Sequence, residues 1–199
     1  MNAGLILLSG GKSSRMGTNK ALLPIEGKAN IERIVDSLGD EFTDRVLVTN
    51  SPDEYALLKE KVKIVTDIYP GLGPLSGIHA GLLASSAEYN VVVACDMPFV
   101  SKKLARLLVE KSVGYQAAVP RFNGMRQPLF AVYHKSIVSE IEQFLKGNDF
   151  RVNNLWGKVK MLWVEDESLQ SIPEVEKAFF NMNYPEEYDQ VKKWVSKEL

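Results

Sequence analysis

Leu5-Ile6-Leu7-Leu8-Ser9-Gly10-Gly11-Lys12-Ser13-Ser14-Arg15-Met16-Gly17-Thr18-Asn19-Lys20 is the stretch whose reading decides the fold. Its apolar start reads as a buried strand, and the strand ends abruptly in paired glycines. Without a Cβ, paired glycines let backbone N–H groups come close to a ligand. Lys12, Arg15 and Lys20 add three cations around the turn. Close amides together with cations make a cradle for a polyphosphate. The plainer alternative is a strand-to-helix turn with solvated charges.

Two familiar glycine signatures fail by position. A P-loop requires Gly five residues before the Gly-Lys pair, where this chain has Ile6. The dinucleotide fingerprint requires Gly-x-Gly-x-x-Gly, but Lys12 and Arg15 occupy its second and third glycine positions.

Working outward, strands and helices alternate. Asn30 is placed to cap a helix carrying Ile31, Ile34, Val35 and Leu38 at helical spacing, with Gly39 as its stop. Residues 45–49 read as a buried strand ending at Asn50. Ser51-Pro52-Asp53-Glu54 has capping-box spacing and predicts a second helix. Residues 62–66 form a third strand ending at Asp67. The Gly/Pro-rich run from Tyr69 predicts a loop, with helix resuming near Ser76; His79, one turn into that apolar helix, reads as structural. Such alternation predicts a parallel sheet with helices on both faces, and ligands then bind beyond the carboxyl ends of the strands.

Asn90-Val91-Val92-Val93-Ala94-Cys95-Asp96-Met97-Pro98 is the second informative stretch. Three consecutive valines predict a central strand, and Asp96 follows where that strand meets the crevice. A carboxylate facing a triphosphate repels it unless a divalent cation lies between them, and Mg²⁺ suits that place. Cys95 reads as a small apolar residue turned to the interior.

Ser101 predicts the cap of the next helix, and Asn123-Gly124 predicts a hairpin that inserts one antiparallel strand. A helix over 136–145, a short helix over 151–156, a strand over 161–165 and a final helix from Pro185 complete the expectation. Asn181 and Asn183, two apart in an extended run, share one face. The expected class is a single-domain, Rossmann-like three-layer α/β/α sandwich spanning 1–199, mostly parallel with one antiparallel strand.

Composition narrows the function classes. A hydrophobic content of 45% and a charged content of 25% fit a folded globular chain. A formal net charge of −1 gives no global attraction to nucleic acid or an anionic membrane, so any phosphate must be bound by local basicity. Cys95 is the one cysteine, which excludes an intramolecular disulfide. The first eight residues lack signal-peptide character, and no apolar run is long enough to span a membrane. A cytoplasmic enzyme is expected.

The sequence Leu8-Ser9-Gly10-Gly11 … Arg15-Met16-Gly17 … Lys20 resembles the loop of nucleotidyltransferases that activate small molecules with a nucleoside triphosphate. Together with Asn50, Asp67, Gly73-Pro74-Leu75-Ser76-Gly77, Cys95-Asp96-Met97-Pro98, Gln127-Pro128-Leu129 and Asn181-Met182-Asn183-Tyr184-Pro185, it resembles the molybdenum cofactor guanylyltransferases across almost the whole chain. The resemblance implies a fold of the nucleotide-diphospho-sugar transferase type. It also implies transfer of GMP from GTP to the terminal phosphate of molybdenum-bearing molybdopterin, with Mg²⁺ as cofactor. Leu8, Ser9, Gly10, Gly11, Lys20, Asn50, Asp67 and Asp96 match nucleotide positions, Asp96 the metal position, and Asn181 and Asn183 the pterin side. Arg15, Lys20 and Asp96 are the expected catalytic set. Asn19, Ala29 and Tyr184 depart from the family pattern of Asp, Pro and Thr. Expected partners are the two substrates and transient cofactor-delivering and cofactor-accepting proteins; the chain is expected to be monomeric and to bind neither nucleic acid nor membrane. Cytidylyl transfer to the same acceptor, transfer to a sugar 1-phosphate, and a non-catalytic GTP-binding role remain open alternatives.

Overall fold

The computed structural model describes residues 2–10 and 19–196. β1 (Gly4–Ser9) enters the middle of the sheet, and a small ribbon of β2 (Pro24–Ile25) and β3 (Lys28–Ala29) leads to helix α1 (Asn30–Leu38). β4 (Asp44–Thr49), β5 (Lys63–Val65), α2 (Pro74–Ala84), β6 (Tyr89–Ala94) and α3 (Lys102–Ser112) follow. β7 (Ala117–Phe122), β8 (Met125–Arg126), β9 (Phe130–His134), α4 (Val138–Lys146) and β10 (Met161–Glu165) complete the sheet side. The tail holds two single turns, α5 (Asp166–Leu169) and α6 (Val175–Ala178), and the terminal helix α7 (Pro185–Val195).

The sheet order is β10-β7-β9-β6-β1-β4-β5, with β8 paired to β7. β6, β1, β4 and β5 run parallel, and β10 runs parallel to β7. β9 is antiparallel to both neighbours, which is the expected inserted strand. Its hairpin arm is interrupted. Asn123 and Gly124 both adopt positive φ, making a tight two-residue turn from Phe122 to Met125. β8 then stops before Pro128, and β9 resumes pairing with β7 three register positions away.

The apolar strands are continuous because both faces are covered. Leu5, Leu7, Leu47, Val91 and Val93 pack on the side of α1 and α3, while Ile6, Val46, Val48 and Val92 pack towards α2 and α4. This alternation produces the three layers. Gly81 allows α2 to lie directly on β1, since a Cβ there would meet Ile6 Cγ2 at 2.4 Å. A satellite cluster joins Ile25 of the ribbon to Met182, Val191 and Val195, and so ties the chain after Lys20 to the tail.

Two local expectations change. Asn30 does not cap α1. Ala29 holds the cap position, its N–H bonded to Glu32, and the Asn30 side chain is buried, with Nδ2 donating to the Cys95 carbonyl at 2.7 Å. Gly39 is the C-cap that ends α1, as expected, and the chain passes from it into the 3-10 turn Gly39–Glu41. Ser51 begins a 3-10 segment, Pro52–Leu58, and its side chain makes no cap hydrogen bond; its N–H donates to Thr49 Oγ1, and Glu54 accepts from Asn19. By contrast, Ser101 caps α3 as its sequence suggests, accepting from Leu104 N–H at 3.2 Å.

Candidate active site at the carboxyl edge of the sheet

β6, β1, β4 and β5 are adjacent, so the residues that follow them share one edge. In register, Leu8 lies beside Ala94 and Val48, and Ser9 lies beside Thr49. Asp96, Gly10, Asn50 and Asp67 therefore project from the same rim. Gly11 and Arg15 lie outside the described residues.

One end of the rim is built by Asn50 and Asp67. Asn50 Nδ2 donates to Asp67 Oδ2 at 2.9 Å, and Asp67 N–H donates back to Asn50 Oδ1 at 3.2 Å. This exchange clamps the two strand ends together. Asp67 Oδ1 is buried without a hydrogen-bond partner. Burial raises the Asp67 pKa above the usual carboxylate range, while the Asn50 bond works against it. Gly73, at φ +80°, turns the chain into α2, and Gly77 then keeps the wall of this end thin. A Cβ on Gly77 would come within 3.1 Å of Leu8 Cδ2 and 3.7 Å of Asp67 Oδ1. Leu8 thus lends its side chain to this wall, and its carbonyl accepts from Cys95 N–H at 3.0 Å.

The other end gathers groups from distant parts of the sequence. Lys20 Nζ donates to Asn183 Oδ1 at 2.7 Å. Met182 N–H donates to the Asp96 carbonyl at 2.8 Å, laying the tail along the end of β6. Glu187 accepts from the N–H groups of Asn183 and Tyr184, which pins the start of α7. Asn181 turns its Nδ2 back to the Phe179 carbonyl at 3.2 Å. Lys20, Asp96 and Asn183 thus come together, with Asn181 two residues from them along the tail.

Asp96 Oδ1 is a buried carboxylate oxygen with no hydrogen-bond partner. Burial pushes its pKa up, the Lys20 ammonium pulls it down, and the Glu187 carboxylate pushes it up again. An unpartnered, partly desolvated oxygen beside the Lys20 ammonium fits a divalent-metal ligand. Among the described residues, no three His, Cys, Asp or Glu side chains converge on a metal position. A metal at Asp96 would therefore complete its shell from water and phosphate oxygens, which suits Mg²⁺.

Several contributors carry no obvious motif. Asn30 supports the Cys95–Asp96 turn from below, and its signal was a polar residue in phase with the apolar face of α1. Tyr55 is fully buried and hydrogen-bonded to Ser9 and Asn19, and burial raises its pKa against those two bonds. Cys95 is buried, and desolvation followed by the charge of Asp96 holds its thiol far above the range of a nucleophile. His79 packs beside Tyr69 with ring centroids 5.6 Å apart, and burial lowers its pKa, so it is a neutral core group. A hollow of about 580 Å³ opens at the opposite end of β6, among Ser86, Tyr89, Arg106 and Val109, away from all these groups.

Asn19 does not leave a hole where the family pattern has Asp. Its Oδ1 caps the turn Lys20–Leu22, accepting from Ala21 N–H at 3.1 Å, and its Nδ2 donates to Glu54 Oε2 at 2.7 Å. A carboxylate at this position would face Glu54 instead of bonding it. Ala29 supplies the N–H that Glu32 captures at 3.1 Å, and Tyr184 occupies the cap position of α7.

Comparison with known proteins agrees with this architecture. The chain is 41% identical over 180 residues to the "Probable molybdenum cofactor guanylyltransferase" of Pelotomaculum thermopropionicum, covering 90% of this chain and 87% of that one. It is 34% identical over 200 residues to the protein of the same name from Natranaerobius thermophilus, covering 98% of each. The crystal structure of molybdopterin-guanine dinucleotide biosynthesis protein A from Archaeoglobus fulgidus superposes with a TM-score of 0.84 at 25% identity, over 98% of this chain and 99% of that one. Residues 5–156 match the model of the MobA-like NTP transferase domain, and with these relatives that match places the chain in the MobA-like nucleotidyltransferase family.

Proposed function

We propose that the protein transfers GMP from GTP to the terminal phosphate of molybdenum-bearing molybdopterin, using Mg²⁺ held at Asp96. The observation that carries the reading is the convergence of Lys20, Asp96 and Asn183, three groups from separate parts of the chain at one strand edge. The relatives' names supply the nucleobase and the acceptor.

In this reaction a terminal phosphate oxygen of the acceptor attacks the α-phosphorus of GTP. A new oxygen–phosphorus bond forms, the α–β bridge breaks, and pyrophosphate leaves with the bridging electrons. The nucleophile is already anionic, so no general base is required. Bound Mg²⁺ would neutralise phosphate charge beside Asp96. Lys20 adds a fixed positive charge, held in place by Asn183 at 2.7 Å. Asn183 and Asn181 present amides to the acceptor side, and Asn50 and Asp67 hold the nucleoside end. Rate enhancement then comes from positioning and charge neutralisation, as is general for phosphoryl transfer.

Guanine presents donors at N1 and N2 and an acceptor at O6. A site that pairs with such groups discriminates strongly, because another base leaves buried partners unmatched. Equal concentrations of GTP and CTP offered with molybdopterin and Mg²⁺ should give guanine dinucleotide and pyrophosphate. Dominant cytosine dinucleotide overturns the base assignment, and loss of pyrophosphate release in the absence of molybdopterin identifies the acceptor. We place the reaction in the cytoplasm, a reading supported by the single, buried cysteine.

A further inference from the structure

Ser9 and Asn19 stand ten positions apart, yet both bond the same phenolic oxygen. Ser9 Oγ is hydrogen-bonded to Tyr55 Oη, and Asn19 Nδ2 donates to Tyr55 Oη at 2.8 Å. The Tyr55 ring is completely buried in the core on the α1 and α3 face. A buried tyrosine needs a partner for its hydroxyl. Here the hydroxyl has two, and they come from separate segments. The backbone is non-helical at this one residue of Pro52–Leu58, with φ −110° and ψ 23°.

Asn19 carries the tie onward. Its amide bonds at both ends: both Nδ2 hydrogens are donated, to Tyr55 and Glu54, and Oδ1 accepts from Ala21 N–H. The Ala21 bond sets the amide's orientation, since only an oxygen can accept there. Ala21 lies in the turn Lys20–Leu22, and the first residue of that turn reaches Asn183 beside Asp96. A continuous path of hydrogen bonds therefore runs from the end of β1, through Tyr55 and Asn19, to the backbone that carries Lys20.

We propose that Tyr55 is a positioning residue for the transfer reaction, its hydroxyl holding Lys20 in register with the end of β1 through Asn19. The proposal rests on the role given to Lys20 above. Tyr55 touches no substrate, and its effect on the reaction passes through the lysine.

A double-mutant cycle tests this. Tyr55→Phe keeps the ring and its burial but removes the shared oxygen. Asn19→Ala cuts the same path from its partly exposed end and serves if Tyr55→Phe does not fold. Each variant is made alone and with Lys20→Ala, and pyrophosphate release is followed at saturating GTP, Mg²⁺ and molybdopterin. Each single variant should lower kcat about tenfold or more, because small misplacements of a charged group are costly in transfer reactions. The fall in melting temperature should stay within about 4 °C. In the Lys20→Ala background neither variant should lower kcat further, since the group being positioned is gone. Effects that multiply with that of Lys20→Ala overturn the proposal, as does a lower melting temperature with unchanged kcat. Wild-type protein that binds GTP without releasing pyrophosphate overturns the transfer reading alone. The same cycle read in GTP affinity then decides the role of Tyr55: loss of affinity that vanishes in the Lys20→Ala background supports it, and independent loss or none overturns it.

Discussion

Asp67 follows β5 at one margin of the sheet, and Asp96 follows β6 at its middle. Each has a buried Oδ1 with no partner, and burial raises the pKa of each. Their neighbours differ. Asp67 receives a hydrogen bond from the neutral amide of Asn50 and exchanges a second through its own backbone. Asp96 has no such amide; its charge is opposed by Lys20 and reinforced by Glu187. Burial alone therefore does not separate the proposed metal ligand from the proposed nucleoside contact. A hydrogen-bonded, clamped carboxylate is suited to accept from a neutral N–H or O–H. A carboxylate held between a cation and a second carboxylate is suited to a divalent ion.

Asp96→Asn attacks the second kind of site and should have the largest effect. Turnover with Mg²⁺ should fall by about a hundredfold or more, the usual scale for losing one preorganised charge at a reacting phosphate. Stability should move the other way. The folded-state pKa of Asp96 is raised, so the folded protein binds a proton more tightly than the unfolded chain, and stability is lost as pH rises through the folded pKa. Above that folded-state pKa the ligand-free wild type carries the penalty and the variant does not. The variant's melting temperature should therefore equal or exceed that of the wild type. A clear fall in melting temperature, or normal Mg²⁺-dependent turnover, breaks the contrast between the two carboxylates.

Lys20→Ala comes next. Loss of the ammonium should lower kcat by about ten- to a hundredfold, with little change in stability for a half-buried side chain at the site margin. It also removes the Lys20 ammonium that, among the described residues, draws the Asp96 pKa down. The acid limb of the pH–rate profile should then move to higher pH than in the wild type. An unmoved limb separates the two groups and dissolves the second site into unrelated parts.

Asp67→Asn should behave differently in kind. It leaves a side chain that still occupies the space beside Asn50 but exchanges an accepting oxygen for a donor. The KM for GTP should rise by about tenfold, the scale of one lost hydrogen bond to a charged acceptor, with kcat nearly unchanged. A fall in kcat resembling that of Asp96→Asn would make the two carboxylates one functional unit.

How much of this was readable beforehand follows the range of the interactions. The half-sheet β6-β1-β4-β5 was legible because β6, β1 and β4 carry unbroken apolar runs and β5 a short one, and the residues that follow them are brought to one rim by the parallel register. Asn50, Asp67 and Asp96 were placed by that rule alone. The bond from Lys20 to Asn183 joins positions 163 residues apart, and no spacing in the chain announces it. The local pattern put both tail asparagines on one face, and only the resemblance set them on the acceptor side. Local rules misled where a side chain had a better distant partner. Asn30 leaves its capping role for the Cys95 carbonyl, and Glu54 leaves its capping box for Asn19. Tyr55 carries no signal of this kind, since an aromatic ring in a helical stretch says nothing about where its hydroxyl points.

Asn183→Ala sharpens the comparison with the smallest expected effect. Asn183 has two roles in the scheme: its Oδ1 holds Lys20 Nζ at 2.7 Å, and its amide lies on the acceptor side of the rim. Its backbone N–H is held by Glu187, so truncating the side chain leaves the start of α7 in place. Stability should therefore change by less than about 1 kcal/mol, the net worth of one partly exposed hydrogen bond. The Lys20 ammonium stays charged and can regain water, so kcat should fall only about two- to fivefold, well short of the Lys20→Ala loss. The informative quantity is which KM moves. A higher KM for molybdopterin with an unchanged KM for GTP assigns the Asn183 amide to the acceptor and leaves Lys20 to the triphosphate. A higher KM for GTP alone means that Asn183 acts only by holding the lysine, and the acceptor must then be recognised elsewhere on the rim, with Asn181 the next side chain to truncate.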